Sequence, residues 1–203
     1  MPTKLPQRRT RSSSRVVWFY YSNSPHQEFD YYGGSYLRAA RTLARSLRRQ
    51  AGFYRVSAAP VLFMYRHAVE LLLKSIIVRG YYWLSEDSVD DEASRRSLFR
   101  SIRQHRLSPL LSRASAVFEQ VGWEWWWPLH PSVKTLEQAR ELLRQVDNLD
   151  QGSFAFRYPV DTYGQRLIPT DVQFNFDRIV SALDALAEAL DTANFGLAAQ
   201  LEA

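Results

Sequence analysis

The sequence predicts an all-α protein, an up-and-down helical bundle of four-helix type with an extra helix. Three observations carry that expectation. Residues 59–79 (A-P-V-L-F-M-Y-R-H-A-V-E-L-L-L-K-S-I-I-V-R) are apolar almost all the way round, the pattern of a helix enclosed at the centre of a bundle. Other segments repeat apolar residues at three- and four-residue spacing, with short connections between them. Only residues 152–169 alternate, and Pro159 and Gly164 interrupt them.

Taken in order, residues 1–15 hold Lys4, Arg8, Arg9, Arg11 and Arg15 without an acid, among Pro, Ser, Thr and Gln. Such a stretch cannot build a core and is expected to be a disordered basic arm. Residues 16–203 then form a single helical-bundle domain. The aromatic run V-V-W-F-Y-Y at 16–21 reads as a strand or a packing segment that anchors the arm. Residues 31–50 read as a helix with Leu37, Ala40, Leu43, Ala44 and Leu47 inward and Arg38, Arg41, Arg45, Arg48 and Arg49 outward, ended by Gly52. The apolar helix follows and is expected to stop at Gly80. Residues 85–92, with Glu86, Asp87, Asp90, Asp91 and Glu92, read as an exposed acidic loop.

Residues 94–104 are helical in pattern. Ser108-Pro109 reads as an N-cap followed by proline at the first helical position, opening a helix that carries Leu110, Leu111, Ala114, Val117 and Phe118 and ends near Gly122. Trp123, Trp125, Trp126, Trp127 and Pro128 make an aromatic knot that either plugs the end of the bundle or stacks on a ligand. Ser132 is expected to cap the next helix, with Leu136, Ala139, Leu142, Leu143, Val146 and Leu149 on its apolar face. Residues 152–169 read as a loop or small hairpin. The last helix covers 171–190, with Phe174, Ile179, Val180, Leu183, Leu186 and Leu190 inward. No repeat of fixed period is present.

Composition removes several classes of chemistry. The 203 residues include no cysteine, so there is no disulfide framework, thiol nucleophile or zinc ribbon. His26, His67, His105 and His130 are too far apart for a metal-ligand pattern, and no phosphate-binding glycine motif occurs. Neither a metal nor a cofactor is expected. No apolar run reaches the roughly 18 residues of a membrane span, and the N-terminus has no hydrophobic signal region. The expectation is a soluble cytoplasmic protein without a membrane partner. The net charge is +5, and with only Lys4, Lys74 and Lys134 as lysines, 23 of the 26 basic residues are arginine. Arginine binds phosphate bidentately and stacks on bases, although a GC-rich genome produces the same excess.

Within the apolar helix, Arg66, Glu70 and Lys74 recur at i, i+4 and i+8 with His67 beside them, making one narrow polar stripe. Charges seldom enter a core unpaired, so the stripe must reach water, a partner, a ligand or a ladder of its own. A ladder of Glu70 with its two neighbours would contribute roughly 0.2–0.5 kcal/mol per pair. A functional stripe would have Glu70 orienting Arg66 and Lys74, with Arg66 as the phosphate or carboxylate contact and His67 facing the same opening. On that reading Arg66→Lys impairs function and leaves stability nearly unchanged.

The run A-P-V-L-F-M-Y-R-H-A-V-E-L-L-L-K-S-I-I resembles the central helix of the HEPN family of small helical-bundle domains. His105-Arg106-Leu107-Ser108-Pro109-Leu110 is similar to the H-x-L-x-x-L segment that follows in related members, and Phe156-Arg157-Tyr158-Pro159 to an aromatic-Arg-Tyr-Pro turn before the last helix. Together these cover roughly residues 31–190. The resemblance implies a dimeric bundle acting on RNA or nucleotides, in toxin–antitoxin, antiphage-defence or CRISPR-linked systems. It also implies, for many members, a metal-independent ribonuclease built on an R-x4-6-H motif, in which His moves a proton and Arg stabilises phosphate charge.

In this chain only Arg100 and His105 have that spacing, ahead of the middle helix. The family places its motif near the start of the last helix, where Arg157 is followed by no histidine. The candidate site is therefore His105, Arg100, Arg66 and His67 for catalysis, with Glu70, Lys74 and Arg157 binding or orienting. The expected partners are RNA or a nucleotide and a second copy or cognate protein. The alternative is a non-catalytic subunit docking onto a larger nucleic-acid-processing complex.

Overall fold

A computed structural model describes residues 25–49, 55–84, 92–125, 130–150, 152–168 and 173–201. The basic arm, the aromatic run at 16–21, most of the acidic loop, and Trp126, Trp127 and Pro128 lie outside the described residues. Six helices make up the described chain: α1 (Pro25–Arg48), α2 (Arg55–Leu84), α3 (Glu92–Ser101), α4 (Leu107–Gln120), α5 (Leu136–Leu149) and α6 (Phe176–Leu201). The chain is an all-α bundle. Among the described residues no helix is long and apolar enough to cross a membrane.

α2 is the axis. Leu62, Val69, Leu72 and Ile76 are at most 2% exposed, because α1, α4 and α6 all pack on this helix. Burying each such side chain contributes about 1.5–3 kcal/mol. Cross-contacts give the directions. Arg48–Asp177 and Arg41–Asp184 pair in opposite order, so α1 and α6 are antiparallel. The Tyr65 hydroxyl donates to Asp184 and the Asn194 amide to the Leu72 carbonyl, so α2 and α6 run together. Arg66 meets His105, just ahead of α4, and Gly80 meets Val117, so α4 also runs with α2.

Several boundaries differ from the sequence expectation, each for a physical reason. α2 does not stop at Gly80. A Cβ there would lie 2.4 Å from Val117 Cγ1, so this glycine permits the close approach of α4 rather than ending the helix. α1 starts earlier, at Pro25, and α6 runs on to Leu201, where Asn194 and Leu197 are still enclosed. Phe174 precedes α6 and is exposed rather than inward. The Asn175 carboxamide, accepting from the Arg178 amide, opens that helix instead.

Ser108 is not the N-cap of α4. The helix starts at Leu107, and its first amides donate to the carboxylate of Asp147 on α5: Leu107 N to Oδ1 at 2.8 Å, and Ser108 N and Oγ to Oδ2 at 2.8 and 2.7 Å. A residue from another helix thus satisfies the orphan donors. Thr135, not Ser132, caps α5, in a capping box with Gln138. The end of α4 follows the sequence expectation. Gly122 takes φ +73°, Trp123 N donates to the Phe118 carbonyl, and the two rings stack at 6.1 Å. Residues 152–168 are turns joined by one antiparallel bridge, Val160 with Arg166.

Candidate functional site

Spacing along α2 puts Arg66, Glu70 and Lys74 on one line, and packing on the other sides of the helix turns that line towards the start of α4 and the end of α5. Arg66 has no exposed surface. Its Nη1 donates to Glu70 Oε2 at 3.1 Å, and its Nη2 donates to the carbonyls of His105 at 2.7 Å and Asp150 at 3.2 Å. Nε faces Asp150 Oδ2 at 3.4 Å as a charge contact without hydrogen-bond alignment. One guanidinium therefore ties α2, the segment before α4 and the segment after α5 to each other. Such a group is costly to bury and costlier to leave half-paired.

Glu70 is enclosed as well and takes three donors. Oε2 receives Arg66, and Oε1 receives Lys74 Nζ at 2.7 Å and lies 2.9 Å from His105 Nδ1. Burial alone would push this carboxyl up. The Lys74 charge and hydrogen bond, with the hydrogen bond from His105, outweigh burial and hold it below its ordinary value. An ionised carboxylate only accepts, so Nδ1 of His105 carries a proton, and Nε2 is the ring nitrogen left to take or give the second one. The His105 side chain is 52% exposed, and among the described residues nothing bonds Nε2. The residue is held at both ends, its carbonyl by Arg66 and its ring by Glu70.

His67 lies one residue away from the stripe. It stacks on Phe63 with ring centroids 5.6 Å apart and meets the edge of Tyr36 at 4.5 Å. Partial burial lowers its pKa, the Glu70 charge works against that, and Lys74, Arg66 and Arg157 reinforce it. The ring is thus neutral near pH 7.

Phe63 also leads to Arg157. Beyond α5, Asp150 Oδ1 accepts the amides of Phe154 at 2.7 Å and Ala155 at 2.9 Å, and Ser153 takes φ 63°, shaping a tight turn. Arg157 Nε donates to the Ser153 carbonyl. Its guanidinium sits 5.4 Å from the Phe63 centroid, 5.0 Å from Phe154 and 5.7 Å from Tyr158.

The structure thus joins His105, Glu70, Lys74 and Arg66 directly, and His67 with Arg157 through Phe63. Arg100 stays apart. It is exposed on α3, and among the described residues no hydrogen bond or ion pair links its side chain to His105. Sequence reasoning missed Asp147 and Asp150, both buried. The available signal was an acid on the apolar face of α5, four residues after Leu143, where a core position is expected. Among the described residues no group of three or more acidic or histidine side chains could hold a metal ion. Neither the protein-family models, nor the curated proteins, nor the solved structures contain a match to this chain.

Proposed function

We propose that this chain is a HEPN-like RNA-associated protein of a prokaryotic defence or toxin–antitoxin type system, with His105 as its proton-transfer group. One observation carries the reading: a half-exposed imidazole is oriented through Nδ1 by an enclosed, ionised Glu70, and among the described residues nothing bonds its Nε2. In a metal-independent cleavage, Nε2 accepts the proton of an RNA 2′-hydroxyl. The 2′-oxygen attacks the adjacent phosphorus, and the 5′-oxygen leaves with a proton from a second acid, giving a 2′,3′-cyclic phosphate and a 5′-hydroxyl. A second copy's His105, in the dimer that the family resemblance implies, is the acid. Arg66 is a positioning residue in this scheme, because it has no exposed surface and its hydrogen bonds go to Glu70 and to the carbonyls of His105 and Asp150. Arg100 and Arg157, both exposed, are the candidates for phosphate charge.

A non-catalytic interaction subunit is the second reading, and the enclosure of Arg66 favours it, since the expected phosphate contact is withdrawn from the surface. One experiment separates the two. Purified protein is incubated with tRNA and total RNA, with and without EDTA, beside His105→Ala. Cleavage that survives EDTA, leaves cyclic phosphate ends and is lost in His105→Ala supports the ribonuclease. RNA binding without cleavage leaves a binding module. Neither binding nor cleavage supports the interaction subunit, whose partner would be sought among the products of neighbouring genes.

A further inference from the structure

The segment 152–168 has an unusual surface. Phe154 is 51% exposed, Tyr158 53% and Tyr163 86%, and Arg157 and Arg166 lie between and beside them. Single exposed aromatics are common, but neighbouring exposed rings grouped around an arginine make a patch of the kind that marks an interaction site. Here the local backbone holds them out. Asp150 Oδ1 fixes the Phe154 and Ala155 amides, and Asp161 Oδ1 takes the amides of Tyr163 and Gln165, with Gly164 at φ +78° turning the tip. Asp161 is the segment's only acid, so its net charge is +1 from two arginines and one aspartate.

Phe154 and Tyr158 lie 6.5 Å apart, inclined by 30°, with the Arg157 guanidinium against both rings. Nε of Arg157 is anchored on Ser153, while among the described residues its two Nη groups have no acceptor. A planar cation supported by rings, with free donors at its outer edge, is suited to a base face and a phosphate oxygen together.

We propose that the turn Phe154–Arg157–Tyr158, with Tyr163 at the hairpin tip, is a stacking platform for unpaired bases of single-stranded RNA. Duplex RNA, whose bases are already stacked, engages it only through phosphate. The proposal rests on the RNA-associated reading above and names its substrate class. A physical link supports it: Asp150, which shapes this turn, also meets Arg66, whose other bonds hold His105. The platform and the proton-transfer group are thus held by one buried pair.

The test is fluorescence anisotropy with a labelled poly-uridine strand of about 12 nucleotides and an RNA duplex of similar length, on the full chain. The variants are the triple change Phe154→Leu/Tyr158→Leu/Tyr163→Leu and, separately, Arg157→Ala. All four positions are exposed, so the variants should melt with the wild type. The triple variant is expected to weaken single-strand binding at least about tenfold, to leave duplex binding unchanged, and to keep the salt dependence of the wild type. Arg157→Ala is expected to reduce the salt slope by about 0.7. Wild-type binding that the triple variant preserves overturns the platform and leaves the RNA-associated reading standing. Equal loss on strand and duplex also overturns the platform. No binding by the wild type to either RNA overturns both.

Discussion

Glu70 Oε1 lies 2.9 Å from Nδ1 of His105, a residue 35 positions away in the chain. The carboxylate is enclosed and the imidazole is half exposed, so the contact converts a buried charge into a defined orientation at the surface. The rest of the network follows from keeping that carboxylate ionised: Lys74 shares Oε1 and Arg66 takes Oε2.

Arg66→Ala should lower the unfolding free energy by about 3–5 kcal/mol, because it leaves Glu70, Asp150 and two carbonyls without their common donor. Arg66→Lys should also destabilise, by about 2 kcal/mol, since one ammonium cannot reach the same partners from the same stem. This replaces the expectation from sequence that the lysine variant impairs function while leaving stability nearly unchanged. Denaturant melts of the two variants check it.

Asp147→Ala should cost about 2–4 kcal/mol. It removes three hydrogen bonds to a carboxylate and strands the buried Leu107 amide at the start of α4. Ser108→Ala removes only one of the three and should cost about 1 kcal/mol. If the two variants melt alike, Asp147 is not the cap.

Gly80→Ala should destabilise by about 1–3 kcal/mol through the clash with Val117. Adding Val117→Ala to Gly80→Ala should recover part of that loss, so the double variant should be more stable than the sum of the two single changes predicts. Strict additivity would place the close approach elsewhere.

Two windows of acid sensitivity follow from the direction of the shifts. The folded pKa of His67 lies below its ordinary 6.5, so the unfolded chain binds more protons there, and stability falls as the pH drops below about 6.5. The folded pKa of Glu70 lies below its ordinary 4.5, so its contribution is present above that pH and is lost as the pH falls further. Melting temperatures across this range should decline in two stages. His67→Phe should flatten the upper stage alone, and a profile unchanged in that variant would contradict the assignment.

The sequence made α2 legible because a helix enclosed on nearly every side has little polar pattern to confuse. The i, i+4, i+8 spacing likewise marked Arg66, Glu70 and Lys74 as a unit. The direction of that unit was not legible, since the partners that enclose Arg66, His105 and Asp150, lie 39 and 84 residues away. The same distance explains the cap of α4. Ser108-Pro109 carries a local signal, but Asp147, 39 and 40 residues on, reaches the Ser108 and Leu107 amides instead. His105 drew notice through its spacing from Arg100, yet the side chain that orients it comes from α2. Local signals were overruled wherever a buried carboxylate from another segment was available.

The most direct test of the central claim is the tautomer of His105, read from long-range nitrogen–proton correlations in NMR above the pH range where histidine titrates. Nδ1 is expected to be protonated and Nε2 unprotonated in the wild type, with that preference lost in Glu70→Gln. A His105 ring protonated at Nε2 in the wild type, or a tautomer unmoved by Glu70→Gln, would contradict it.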